Sequence, residues 1–193
     1  ARAGAKVYVC ARSADQLGEL VNEMHGDGHV AITLDLEDLD AIGRVVSNLK
    51  GIHILINNSG GPPGGPLIEN DLDDFEGPFR RHLFASHTLT RELVPGMESE
   101  GFGRIVNIIS TSVREPIDNI GLSNTLRGAM ASWSKSLSRE LPECITINNV
   151  LPGFTATERL DNLASSINQR TGKSHQEIHD GWMSQVPIER LVD

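Results

Sequence analysis

Apolar residues gather in five short runs, at 6–11, 30–34, 52–57, 105–110 and 145–150, and between these runs they recur at steps of three and four. The runs are rich in β-branched residues, which predicts strands, and four are nearly continuous, the mark of strands covered on both faces. The spaced stretches predict helices over 14–25, 39–49, 72–97 and 123–141. In the last of these, Leu122, Leu126, Met130, Trp133, Leu137 and Leu141 make one apolar stripe. Strand and helix alternate, so right-handed crossovers should build a doubly wound parallel sheet with helices on both faces, an α/β/α arrangement of three layers.

The pattern changes after the fifth run. Residues 154–186 form an excursion, polar and helix-prone over 158–182, with Phe154, Leu160, Leu163 and Trp182 as its apolar members. Taken together, 1–193 reads as a single domain. Residues 1–4 read as the end of a helix closed by Gly4, and 187–193 stop without a further strand. Both ends predict that the sheet continues beyond the visible pattern. In such sheets ligands bind beyond the carboxyl ends of the strands, so chemistry is expected at 11–13, 35–37, 57–65, 110–115 and 152–157.

The 193 residues carry a net charge of −9 and a pI near 5.2. Scattered acidic charge argues against a nucleic-acid partner, which needs a basic face. No run approaches the roughly 18 apolar residues of a membrane span. No secretory leader is visible, and Cys10 and Cys144 form neither a disulfide framework nor a metal spacing. Both read as buried free thiols, which predicts a cytoplasmic protein. His175 and His179 stand four apart but lack a third ligand, so no metal is expected. Acidic 71–74 reads as a helix N-terminus.

Four segments carry a resemblance. They are Asn57-Asn58-Ser59-Gly60 after the third run, 103–110 ending in Ser110, Pro152-Gly153 with Thr157 after the fifth, and Asp35-Leu36 after the second. In this order and spacing the chain resembles the short-chain dehydrogenases/reductases over its whole length. Among them it is most similar to 3-oxoacyl carrier-protein reductases with imperfect motifs. The resemblance implies a Rossmann-like fold, a nicotinamide cofactor, a small-molecule substrate and a homodimer or homotetramer paired through the 123–141 helix. It places Asp35 and Leu36 near the adenine, Asn57, Ser59 and Gly60 in the loop approaching the cofactor, and Pro152, Gly153 and Thr157 beside the nicotinamide. It gives 154–186 as a substrate lid. It also implies a first strand, a Gly-rich turn and helix, and a last strand that this sequence does not contain. At Arg12-Ser13, where an acidic residue would hold the ribose of NAD, an arginine suits the 2′-phosphate of NADP. The alternative is a surface arginine paired with Asp15.

The departures fall on the chemistry. Ser110 stands at the family's serine. The tyrosine position, thirteen residues on, is Ser123; the lysine position is Arg127; the asparagine position is His82. A serine hydroxyl is a far weaker acid than a phenol, and the only tyrosine is Tyr8, in the first run. Candidate roles follow for the four. Ser110 polarises the substrate oxygen or satisfies backbone at a strand end. His82 relays a proton, through water or Ser110, or is a packed helix histidine. Ser123 takes part in the chemistry or caps the helix predicted to begin there. Arg127 holds a cation at the nicotinamide ribose or is a solvated helix residue. Two functions therefore stand open: an NADP(H)- or NAD(H)-dependent oxidoreductase for a carbonyl or secondary alcohol, or a catalytically silent relative that binds a nucleotide or partner subunits.

Overall fold

The computed structural model describes residues 1–188 and 190–192, without the side chain of Arg159. Five parallel strands form in the order of the apolar runs: β1 (Tyr8–Ala11), β2 (Val30–Thr33), β3 (Ile54–Asn57), β4 (Gly103–Ile108) and β5 (Ile145–Val150). They make two sheets. β1 pairs with β2, Tyr8 opposite Val30; β3–β4–β5 form the second, with Asn57 opposite Asn107 and Asn107 opposite Asn149. The sheets face each other across a cavity of about 850 Å³ between β1 and β3. Among the described residues no strand pairs with either facing edge.

The cavity accounts for one departure from expectation. The apolar run predicts cover on both faces of β3, yet Ile54 and Ile56 are 53% and 62% exposed, because both line the open space. Cys10 lines it too and is exposed, while Cys144 is half-buried. The buried-thiol expectation therefore fails for Cys10, since the strand that carries it lies at a free edge.

The helices are α1 (Ala14–Glu23), α2 (Leu39–Val46), α3 (Leu72–Phe79), α4 (Ala85–Ser99), α5 (Gly121–Leu137), α6 (Glu158–Thr171) and α7 (His175–Met183). The core joins β3, β4 and β5 to α2, α4 and the end of β2 through Leu34, Ile42, Leu55, Met97 and Ile105. A second, smaller cluster lies within the excursion, where Phe154 stacks on Trp182 at 5.5 Å beside Ala164 and Ile178. Asp71 opens α3 in a capping box with Asp74, as the acidic run implies.

Two helix boundaries differ from the pattern, and both matter for the site. The stretch expected as one helix over 72–97 is interrupted by a wide π-type turn, Arg80–Phe84. Pro78 lies just upstream, where a missing N–H removes one rung of the helical ladder. Such wide turns insert a residue and re-aim side chains. The helix expected to begin at Ser123 begins at Gly121. A Cβ at Gly121 would stand 2.5 Å from the Leu67 Cβ, so glycine is what lets the 65–67 segment close on the helix start. Ser123 thus lies inside the first turn, buried, and does not cap it.

Candidate active site

A file of amides, buried at Asn57 and Asn107 and half-buried at Asn149, crosses the second sheet just below its carboxyl end. Asn57 Nδ2 donates to Asn107 Oδ1 at 2.8 Å, and Asn107 Nδ2 donates to Asn149 Oδ1 at 3.0 Å and to Ser134 Oγ of α5 at 2.7 Å. The three asparagines share one register row, so period-two alternation puts all three on one face. They tie together the strand ends from which the 57–65 loop, Ser110 and the 152–157 loop depart. Sequence reasoning assigns Asn57 to the cofactor loop and misses Asn107, Asn149 and Ser134. Their signal is a polar residue at the same depth in three consecutive apolar runs.

His82, on the wide turn, is 3% exposed and faces this end of the sheet. Its Nε2 lies 2.9 Å from the Gly60 carbonyl, and its Nδ1 lies 2.7 Å from Ser59 Oγ and 3.5 Å from Arg127 Nη1. A carbonyl only accepts and a guanidinium only donates. Nε2 therefore carries the proton, and Nδ1 accepts from the Ser59 hydroxyl and faces the Arg127 cation. In that arrangement the Nε2–H points to a backbone carbonyl.

Arg127 also donates to the Ile108 carbonyl at 3.0 Å. It is half-buried and held from two sides, not a solvated helix residue. Ser110 follows two residues beyond that carbonyl. Its Oγ accepts from the Ser112 N–H at 3.0 Å, which leaves its own O–H to be donated elsewhere. Ser123 is buried and its hydroxyl forms no hydrogen bond among the described residues. The 3₁₀ turn at Thr111–Val113 packs on α5, which brings the Ser110 and Ser123 segments together. Tyr8 lies in β1 against the cavity, under Lys6 Nζ at 5.1 Å, away from α5. Its phenol cannot stand at position 123.

The remaining candidates fall into two groups. Pro152 accepts from the Thr111 N–H at 3.1 Å, which joins the β5 exit to the Ser110 turn. Gly153 and Thr157 are exposed beyond it. At the other end, Asp35 is exposed and its Oδ1 accepts from the Glu37 N–H at 2.9 Å, with Leu36 on the cavity rim. Arg12 is exposed and, among the described residues, forms no ion pair with Asp15; Ser13 caps α1, with its Oγ 3.4 Å from the Gln16 N–H.

A nicotinamide dinucleotide can be tested against these residues. The cavity runs between the unpaired edges of β1 and β3, the place of the further strand that the resemblance implies, so its body is a gap in the sheet and not a cofactor pocket. It reaches the carboxyl ends of β2 and β3 and carries a buried donor without an acceptor, Arg81 Nε. At its rim the Arg81 Nε–H without an acceptor suits an anionic group.

A family model described as short chain dehydrogenase matches residues 1–168. This chain belongs to the short-chain dehydrogenase family. A putative ketoacyl reductase of Streptomyces coelicolor is 27% identical over 198 residues, spanning 98% of this chain and 76% of the relative. The crystal structure of a single-site variant of actinorhodin polyketide ketoreductase with NADPH superposes with a TM-score of 0.90 at 26% identity, over 100% of this chain and 77% of that one. L-Sorbose reductase of Gluconobacter frateurii, complexed with NADPH and L-sorbose, gives a TM-score of 0.86 at 25% identity, over 98% of this chain and 75% of that one. As a short-chain dehydrogenase the chain is an oxidoreductase of Rossmann-like fold, related to ketoacyl reductases. Its departures at 82, 123 and 127 lie within the matched region. Among the described residues no helix is long and apolar enough to cross a membrane.

Proposed function

We propose that this short-chain dehydrogenase is an NADP(H)-dependent reductase of ketones of the 3-oxoacyl thioester class, working without a phenolic acid. Support comes from relatives that are ketoacyl reductases and from solved neighbours that hold NADPH. The observation that carries the reading is the pairing of a Ser110 hydroxyl proton left to donate with a clamped cation at Arg127.

When bound, the nicotinamide supplies a hydride to the carbonyl carbon. Asp35 and Leu36 would take the adenosine end, the 57–60 loop its middle, and Pro152, Gly153, Thr157 and Arg127 the nicotinamide end. Negative charge then develops on the substrate oxygen. Ser110 donates its hydroxyl to that oxygen, and Ser123 offers a second hydroxyl from the first turn of α5. Arg127 adds a fixed positive charge that cannot be given up as a proton. Its orientation is set by the Ile108 carbonyl and by His82 Nδ1. His82 acts as the acceptor that seats Arg127 and Ser59; water completes the alcohol. The lid is α6 and α7, with Phe154 and Trp182 over the substrate. We propose further that the protein is cytoplasmic, binds no nucleic acid, and pairs as a dimer or tetramer through α5.

Consumption of NADPH with a panel of 3-oxoacyl thioesters and ketones tests this. Turnover that falls about 100-fold in Ser110→Ala, with NADPH still bound, is expected, the size of an oxyanion contact. Absence of turnover on every ketone, with nucleotide bound, would favour the silent relative, which the lack of a phenol at position 123 supports.

A further inference from the structure

The helix that carries Ser123 and Arg127 starts without a cap of its own. Ile120 stands at the N-cap position of α5 and offers no side-chain acceptor, so the first turn is held from outside. Gly65 supplies the hold. Its carbonyl accepts from the Gly121 N–H at 3.2 Å, and its N–H donates to the Asn119 carbonyl at 2.7 Å, a parallel bridge across Ile120. Asn124 Nδ2 donates to the Ile117 carbonyl at 2.8 Å, which ties the approaching chain to the helix. Between these ties the backbone turns at Asn119, with φ at 63°. Asn119 is the one non-glycine residue of positive φ among the described residues.

The left-handed region is costly for a residue with a Cβ, less so for asparagine than for most. Such a conformation persists where its surroundings fix it. Asn119 is exposed, so the fold draws on its backbone. At negative φ its carbonyl would turn away from Gly65, and the bridge that also serves the Gly121 N–H would open. An uncapped first turn then frays. Ser123 lies in that turn and Arg127 one turn beyond, whereas Ser110 is held separately by the Ser112 N–H. Fraying would therefore move two of the three groups relative to the third.

We propose that Asn119 is a positioning residue for the reduction: its left-handed backbone, seated on Gly65, fixes the first turn of α5 and so places Ser123 and Arg127 against Ser110. The proposal rests on the chemistry of the proposed function and adds the residue that aims two of its side chains.

Turnover of a 3-oxoacyl thioester with NADPH, and amide hydrogen exchange along the chain, test it on Asn119→Gly, Asn119→Ala and Asn119→Val. Asn119→Gly enters the left-handed region freely and should keep kcat within about twofold. Asn119→Ala should lower kcat about three- to tenfold and Asn119→Val about 10- to 100-fold, the size of a small misplacement of reacting groups, with KM moving less than about threefold. In Asn119→Val the amides of the first turn of α5 should exchange at least about tenfold faster, while those of β4 and β5 keep their rates. A general loss of stability would instead quicken all of them. The inference is overturned if Asn119→Val keeps both kcat and exchange, if Asn119→Gly loses as much as Asn119→Val, or if exchange quickens equally in β4 and β5. A wild-type chain that reduces no ketone overturns the proposed function, and the exchange ranking then decides by itself whether Asn119 sets the start of α5.

Discussion

Asn107→Ala removes the centre of the amide file. Asn107 is 0% exposed and makes three side-chain hydrogen bonds, accepting from Asn57 and donating to Asn149 and Ser134. Each bond contributes about 1 kcal/mol net. Alanine also strands the buried Asn57 amide. Asn57 then has no partner at either end, since its Oδ1 already lacks a donor; Asn149 Oδ1 keeps only Ser134 Oγ at 2.9 Å. A stranded buried group costs about 1–3 kcal/mol, so the total loss is about 3–5 kcal/mol, in the range of broken buried networks. At about 2–4 °C per kcal/mol for a chain of this size, the melting temperature should fall by about 6–20 °C. Circular dichroism on heating reads this directly. Asn107→Asp supplies an independent sign. It keeps the shape but replaces the donor toward Asn149 with an acid, so burial raises the folded-state carboxyl pKa. Such a variant is most stable below the ordinary carboxylate range, where the acid is protonated, and loses stability as pH rises through that range toward the raised value. An Asn107→Ala protein that melts within about 2 °C of wild type would refute the network, as would an Asn107→Asp variant with flat pH dependence.

Other outcomes follow from the same geometry. His82→Ala removes the bonds to the Gly60 carbonyl and the Ser59 hydroxyl and empties a buried ring site, and should cost about 2–3 kcal/mol, read by urea denaturation; His82→Gln, which can still donate to Gly60, should recover part of it. Gly121→Ala drives a methyl group into Leu67, 2.5 Å away, and should cost about 1–3 kcal/mol by overpacking, seen as an earlier urea midpoint. Partial desolvation where β1 borders the cavity pushes the exposed Cys10 thiol up. Iodoacetamide should therefore label it more slowly at neutral pH than a free thiol, with the rate rising only in alkaline solution. Two hydrogen bonds from Ser174 hold the Glu177 carboxyl below its usual range. The cap of α7 should accordingly persist through mild acid and loosen only as pH falls through that lowered value, followed by NMR titration of the side chain.

Much of this is legible in the residues, for identifiable reasons. Strand order, parallel pairing and the placing of the 57–60, 110 and 152–157 segments at one end follow from apolar runs alternating with helical spacing. Three features resist. The wide turn at 80–84 depends on which backbone rung fails after Pro78, and a continuous period of three and four hides that. The start of α5 at Gly121 depends on a long-range approach by Leu67, which local spacing does not encode. The contacts of His82 depend on which atoms face its two nitrogens. Residue type alone suggests a proton carrier; the contacts with the Gly60 carbonyl, Ser59 and Arg127 come only with the fold. The Arg80 and Arg81 contacts with Glu37 are likewise invisible, since 44 positions separate Glu37 from Arg81 in the chain.

Proton delivery without a phenol is the central claim, and one double variant addresses it. Ser123→Tyr combined with Arg127→Lys installs a phenol and a proton-sharing amine at the two divergent positions. A positioned general acid contributes about 10²- to 10⁴-fold. Turnover of the best 3-oxoacyl thioester with saturating NADPH should rise at least about tenfold in the double variant, with an alkaline limb in its pH profile that the wild-type protein lacks. A folded double variant that binds NADPH as wild type does and turns over no faster would contradict the claim.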